Sequence, residues 1–300
     1  MTDGGSMVEI ECVVDAGALL GESTYWDVDE QVLWWIDIYG KTLHCFDPAT
    51  RLDDTVALPE YPGCVAVRQS GGLVITLETG FHFLDPANGQ LTPIVDPESA
   101  IADTRFNDGK TDRQGSFWSG SMFEAPGKPM RPIASLYRLD TDLTCHKVVE
   151  GVGCSNGLAW SPDSRTMYYT DSHTPIVWAF DFDPVTGEAD NRRDFVDLSF
   201  MDGIVDGSTV DADGCYWLTV PFKGKVMRYD PDGRLMLTID LPVDLPTCCE
   251  FGGEALDTLY VTSATLRRSA DVLAGQKNPG GLFAIHGTGA TGLPLVPFKG

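Results

Sequence analysis

Basic residues are scarce in this chain. Over 300 residues, 21 Lys and Arg stand against 44 Asp and Glu, a formal charge of −23. Such a balance repels polyanions, and no Lys/Arg cluster reverses it locally, so nucleic acid and anionic membranes are excluded as partners. Histidine is rarer still, with five copies and no HExxH-type pair. None of the eight cysteines forms a CxxC, which argues against a zinc ribbon or a dithiol redox site. No apolar run approaches the roughly 20 residues a membrane helix needs. The opening MTDGGSMVEIECVV lacks a basic segment followed by an apolar stretch, so no signal peptide is expected. The cysteines fall mostly in apolar strands as small core residues, without framework spacing. This favours a reducing, cytoplasmic setting.

What the chain does contain is one unit written six times. Each copy is an apolar strand, a short connection and a second strand ending near an aromatic or leucine. Examples are VLWWIDIYGKTLHCFDP, MYYTDSHTPIVWAFDFDP and YWLTVPFKGKVMRYDP. The second strands end at Asp47, Asp85, Asp140, Asp183, Asp230 and His286, a mean spacing of about 48 residues. A β-rich repeat of that length suits one blade of a propeller. The expected fold is therefore all-β: a six-bladed β-propeller with four-stranded blades around a central channel. It forms a single domain over residues 8–300, preceded by a flexible tail at residues 1–7. Ring closure has two contenders for the outer strand of the last blade, VEIECVV near the start and LPLVPF near the end.

A ring brings the same position of every repeat to one axis. The residues that open the innermost strands are Glu22, Gly63, Asn107, Asn156, Asp206 and Cys248, spaced 41 to 50 residues apart. Singly, a Glu, Asn or Asp before a strand is ordinarily a turn residue. Here four of six equivalent positions carry side-chain oxygens, which strands disfavour and burial penalises. Converging on the channel, they predict a cation site. Oxygen donors suit Ca²⁺, Mg²⁺ or Mn²⁺, whereas zinc more often recruits His or Cys. Arg105 lies two residues before Asn107, at the mouth. The rim loops add Tyr39, Lys41, Glu78, Phe123, Glu124, Asp171, Ser172, His173, Phe222, Lys223, Arg267 and Arg268. A cation floor under a polar, partly aromatic rim suits a small polyhydroxylated ligand. His44, His82, His146 and His286 read as structural.

Several motifs carry a family resemblance that runs nearly end to end. They are Gly21-Glu22-Ser23 with Trp26, and Arg105-Phe106-Asn107-Asp108-Gly109-Lys110. Next come Ser155-Asn156-Gly157-Leu158 with Trp160, Tyr169-Thr170-Asp171-Ser172, and Asp206-Gly207 followed by Asp211, Gly214 and Trp217. Leu241-Pro242 and Cys249-x-Phe251-Gly252-Gly253 complete the set. In this order the chain resembles the senescence-marker-protein/regucalcin/gluconolactonase family of six-bladed propellers. The resemblance implies one divalent metal, calcium first with Mg, Mn or Zn as alternatives, held by Glu22, Asn156 and Asp206. It implies sugar-binding roles for Arg105 and Asn107, with Asp108 nearby. Thr24 and Val205 stand where the family often has Pro, and Asp202-Gly203 competes with Asp206-Gly207. Ala125 occupies the place of a sugar-contacting Glu in some members, making Glu124 its substitute.

The activity implied is metal-dependent hydrolysis of a sugar (aldono-)lactone to its acid, by a metal-activated water with Lewis-acid polarisation of the carbonyl. Asp206 is the expected catalytic base, with metal-bound hydroxide as the competing assignment. Arg105, Asn107, Asp108 and Glu124 form the substrate-binding set. The alternatives are a metal-dependent esterase or organophosphate hydrolase on the same site, or a non-catalytic calcium-binding propeller. The only partner expected is a small-molecule sugar lactone. The sugar, the ring size and the oligomeric state are not legible.

Overall fold

Alternation between buried and exposed positions weakens from the outside of each sheet inwards. Outermost strands such as Leu52–Ala57 and Leu235–Asp240 expose most of their residues, whereas the innermost strands are buried almost throughout. A strand packed on both faces needs no polar side, and this gradient is the burial pattern of blades arranged radially. A computed structural model describes residues 8–300, and the expected N-terminal tail lies outside the described residues. Six four-stranded antiparallel sheets form the six blades of a β-propeller. Their innermost strands are Gly21–Asp27, Pro62–Val67, Thr104–Thr111, Ser155–Trp160, Ser208–Val210 and Pro246–Gly252. One short helix, Ala270–Ala274, and one 3-10 turn, Ser199–Met201, lie in connections. Among the described residues, no helix is long and apolar enough to cross a membrane.

The blades adhere through large side chains. Tyr25, Phe81, Phe106, Phe117 and Tyr137 form one buried cluster across the first three blades. Truncating one such aromatic to Ala costs about 3–5 kcal/mol. Blade turns are held by a repeated device. Asp112 Oδ1 accepts the N–H groups of Gln114, Gly115 and Ser116, and its Oδ2 accepts Trp118 Nε1 at 2.8 Å. Asp211 takes Asp213 N–H, Cys215 N–H and Trp217 Nε1 in the same way. Gly115 and Gly214 sit at φ +94° and +82°, where a Cβ would strain the turn. The Asp-x-x-Gly-x-x-Trp interval is therefore a turn clamp.

Of the two contenders for ring closure, the N-terminal segment takes the place. Glu9–Val14 pairs antiparallel with Leu282–His286, giving the sixth blade its outermost strand. LPLVPF forms no strand, because Pro294 and Pro297 cannot donate to a ladder. It crosses the base of the ring instead. Ala212 N–H bonds Thr291 O, Phe298 pairs in parallel with Arg68, and Lys299 N–H bonds Gly115 O. Leu293–Val296 thereby cover the lower end of the channel beneath Lys110 and Thr209.

Candidate active site

Every innermost strand except the short Ser208–Val210 shows a register shift of one residue near its start. Such a bulge re-aims side chains and bends the strand. The last paired residues before it are Glu22, Pro62, Phe106, Asn156 and Pro246. In the fifth blade Asp206 N–H bonds Thr219 O at 3.2 Å, one step outside the Ser208–Leu218 pairing. This corrects the alignment of repeats. Glu22 and Asn156 share one level, ahead of the bulge, whereas Asn107, Gly63 and Cys248 fall within the bulges, as does Asp206, which with Gly207 faces Thr219. Counting residues cannot reveal an insertion that the blades share, because the candidate openings vary by one or two residues relative to it.

A hydrogen-bonded arc runs round one side of the mouth. Tyr39 OH and Arg105 Nε both donate to the Glu124 carboxylate. Arg105 Nη1 donates to Phe106 O and to Asn107 Oδ1, each at 2.9 Å. Asn107 Nδ2 donates to Ser155 O (3.0 Å) and Asn156 Oδ1 (3.3 Å). Asn156 Nδ2 donates to Ser172 Oγ, which donates to Val205 O beside Asp206. Arg105 is only 4% exposed, so its charge is held by partners rather than by water.

Carboxylates dominate the channel side. Burial pushes Glu22 well above the usual carboxylate range, and the charges of Asp206 and Asp108 push it further. Burial raises Asp206 likewise, reinforced by Asp108. Burial lifts Asp108 to about 6, against the opposing pull of Lys110 and the N–H groups of Leu158, Gly109 and Gly157. Their cationic neighbours are already engaged. Arg105 pairs with Glu124, and Lys110 Nζ pairs with Glu250 at 2.6 Å. Three inward carboxyls without a dedicated counter-charge are electrostatically incomplete, and a divalent cation fits that deficit. Among the described residues, no three His, Cys, Asp or Glu side chains are placed to hold a metal by themselves. A site here therefore draws on the amide oxygen of Asn156 as well as on carboxylates.

Glu22, Arg105, Asn107, Asp108, Glu124, Asn156 and Asp206 thus surround one space. Other rim residues stand apart from it. Asp171 turns inward to accept the N–H groups of Gly153, Cys154 and His173, fixing that loop. Glu78 accepts Tyr61 N–H, Lys41 lies over the Tyr61 ring, and Arg268 pairs with Asp244 across Phe222. His44 bonds Asp53, and His82 bonds Gly80 O.

Sequence reading missed three features. Glu250 is buried against Lys110 and Thr209, below the site. Cys154 Sγ lies against Asn107, Asn156 and Met122. Tyr39 reaches Glu124 across a separation of 85 residues. Lys110, inside the Arg105–Lys110 motif, and the rim residues Tyr39 and Glu124 offered signals in advance, though not for the contacts they make.

A ring of six antiparallel blades enclosing a pocket of oxygen donors and guanidinium defines a propeller of the small-molecule-binding type. The description SMP-30/Gluconolactonase/LRE-like region matches residues 20–265, and the chain belongs to that family, which includes lactone-hydrolysing enzymes. It is 39% identical to regucalcin from Gallus gallus over 298 residues, covering 98% of this chain and all of that one. It is 37% identical to 6-deoxy-6-sulfogluconolactonase from Pseudomonas putida, covering 92% of this chain and 94% of the other. Among solved structures, a calcium-binding protein, regucalcin, from Agrobacterium tumefaciens superposes with a TM-score of 0.89 at 26% identity. That match covers 96% of each chain.

Proposed function

We propose that this protein hydrolyses a sugar lactone to its acid, using one divalent cation held by Glu22, Asn156 and Asp206. The observation that carries the reading is the convergence of these oxygen donors, since the Asp206 charge acts on buried Glu22 and Asn156 hydrogen-bonds Asp206, beside a buried Arg105–Asn107 pair. The A. tumefaciens relative is described as calcium-binding, which supports calcium as the first metal to test. The P. putida relative is named for its lactonase activity on a sugar acid lactone, which supports the reaction and the substrate class.

When bound, the cation would supply Lewis acidity toward the lactone carbonyl and toward water. The remaining chemistry belongs to the chain. Asp206 accepts the proton of the attacking water. Arg105 and Asn107 hold ring oxygens and hydroxyls, so that the carbonyl meets the water in a fixed geometry. Glu124 and Tyr39 keep the Arg105 guanidinium from turning away, because Glu124 binds both. Asn156 couples the sugar side to the cation side through its contact with Asn107.

The test is acid release from a panel of pentono- and hexono-lactones, on chelated protein with Ca²⁺, Mg²⁺, Mn²⁺ or Zn²⁺ restored singly. Turnover that returns with a metal supports the assignment and identifies that metal. Cation binding without turnover of any lactone would overturn it.

A further inference from the structure

The charge of this molecule is unevenly distributed along its axis. The six loops joining second to third strands ring the mouth, at residues 38–41, 78–79, 124–133, 172–175, 221–224 and 264–281. They carry seven Lys or Arg and three acids. The six loops joining first to second strands lie at the opposite end, at residues 28–31, 68–72, 112–116, 161–165, 211–215 and 253–257. They carry eight acids and three bases. The loops leading from each fourth strand to the next first strand also lie at the mouth and add eight acids and no base, so the rim cations stand among acids that pair with several of them.

Within this rim a cleft of about 270 Å³ leads outward from the site. Its inner wall is Met122 and Glu124, which touch Cys154 and Arg105 respectively. Its outer wall is Lys128, His173 and Arg267. Most rim cations already have partners. Lys128 and Arg131 share Asp103, and Arg268 holds Asp244. Arg267 is exposed, lines the cleft and has no carboxylate partner among the described residues.

Building on the lactonase reading, we propose that the substrate is an anionic sugar lactone, with Arg267 receiving the charged group on the carbon remote from the carbonyl. A lactone seated at Glu22, Asn107 and Asp206 directs its far end into the cleft. A phosphate, sulfonate or carboxylate there meets a planar guanidinium able to bind two of its oxygens. Neutral lactones gain nothing from this contact.

The experiment compares glucono-1,5-lactone with its 6-phosphate, using metal-restored wild type, Arg267→Ala, Arg267→Glu and Arg234→Glu. Arg234 lies in a turn at the opposite end, and its substitution changes net charge as Arg267→Glu does. The expected result is a kcat/KM ratio favouring the phosphate in wild type. That ratio should fall about tenfold in Arg267→Glu, fall less in Arg267→Ala and hold in Arg234→Glu. Equal handling of both lactones by wild type, or a ratio untouched by Arg267→Glu, would overturn the proposal. If neither lactone is hydrolysed, the lactonase reading fails, and the anion subsite is judged by calorimetry with 6-phosphogluconate and gluconate. Discrimination that depends on Arg267 then sustains the subsite, and its absence in wild type removes it.

Discussion

Asn107 Nδ2 lies 3.3 Å from Asn156 Oδ1, joining a residue assigned to sugar binding with one assigned to the cation. The two come from adjacent blades and from different register levels. Asn107→Ala is therefore expected to weaken cation binding as well as to raise KM. Loss of one such hydrogen bond corresponds to about 1 kcal/mol, or roughly fivefold in cation Kd. Calorimetric titration of the chelated protein checks this. An unchanged Kd with a raised KM would show that the two roles are separate.

Asp206→Asn retains an oxygen ligand but removes the base. A fall of at least about 100-fold in kcat is expected, with cation still bound. Asp206→Ala should lose both functions. Steady-state rates and cation titrations on both variants separate the two, and near-normal kcat in Asp206→Asn would exclude Asp206 as the proton acceptor.

The Asp108 carboxyl, raised to about 6 by burial, binds its proton more tightly in the folded chain than in the unfolded one. The folded state gains from this below the unfolded value near 4 and loses that advantage as pH rises through 6. Asp108→Asn should therefore stabilise the cation-free protein at pH 7–8, by on the order of 2–3 kcal/mol. Little gain is expected at pH 4. Urea unfolding at both pH values measures the difference.

Glu250 and Lys110 form a buried pair, Nζ to Oε2 at 2.6 Å, with Thr209 on the other carboxylate oxygen. Glu250→Ala strands a charged ammonium in the channel wall and is expected to cost about 3–5 kcal/mol. Replacing both partners, as Lys110→Met with Glu250→Gln, should recover a substantial part. Chemical denaturation of the single and double variants gives the coupling.

The propeller was legible because its repeat is periodic in a property sequence displays openly, apolar strands punctuated by turns. Glu22, Asn107, Asn156 and Asp206 stood out together for a related reason, since strands disfavour such side chains, and only the family resemblance singled out three of them as ligands. The bulge was not legible. It moves Asn107 off the level of Glu22 by a single residue, and spacings that vary from blade to blade conceal one. Nor could sequence show that Asp171 faces its own loop while Glu124 faces Arg105. Both are rim acids, and only the fold of the loop decides which N–H or guanidinium each one meets. Ring closure was narrowed to two segments, and Pro294 and Pro297 explain which of them failed to form a strand.

The sixth blade takes Glu9–Val14 from one end of the chain and its other three strands from residues 246–286. During synthesis the first strand emerges with no partner and waits for nearly the whole polypeptide before it can dock. Until then the chain is an open arc with two free sheet edges, each able to recruit a strand from a neighbouring molecule. The charges of Glu9 and Glu11 on that waiting strand are well placed to discourage such encounters. The same arrangement makes the seam a mechanical clasp: pulling on Glu9 loads the Glu9–Val14 pairing, while pulling on the C-terminal end loads the contacts of Phe298 with Arg68 and of Lys299 with Gly115.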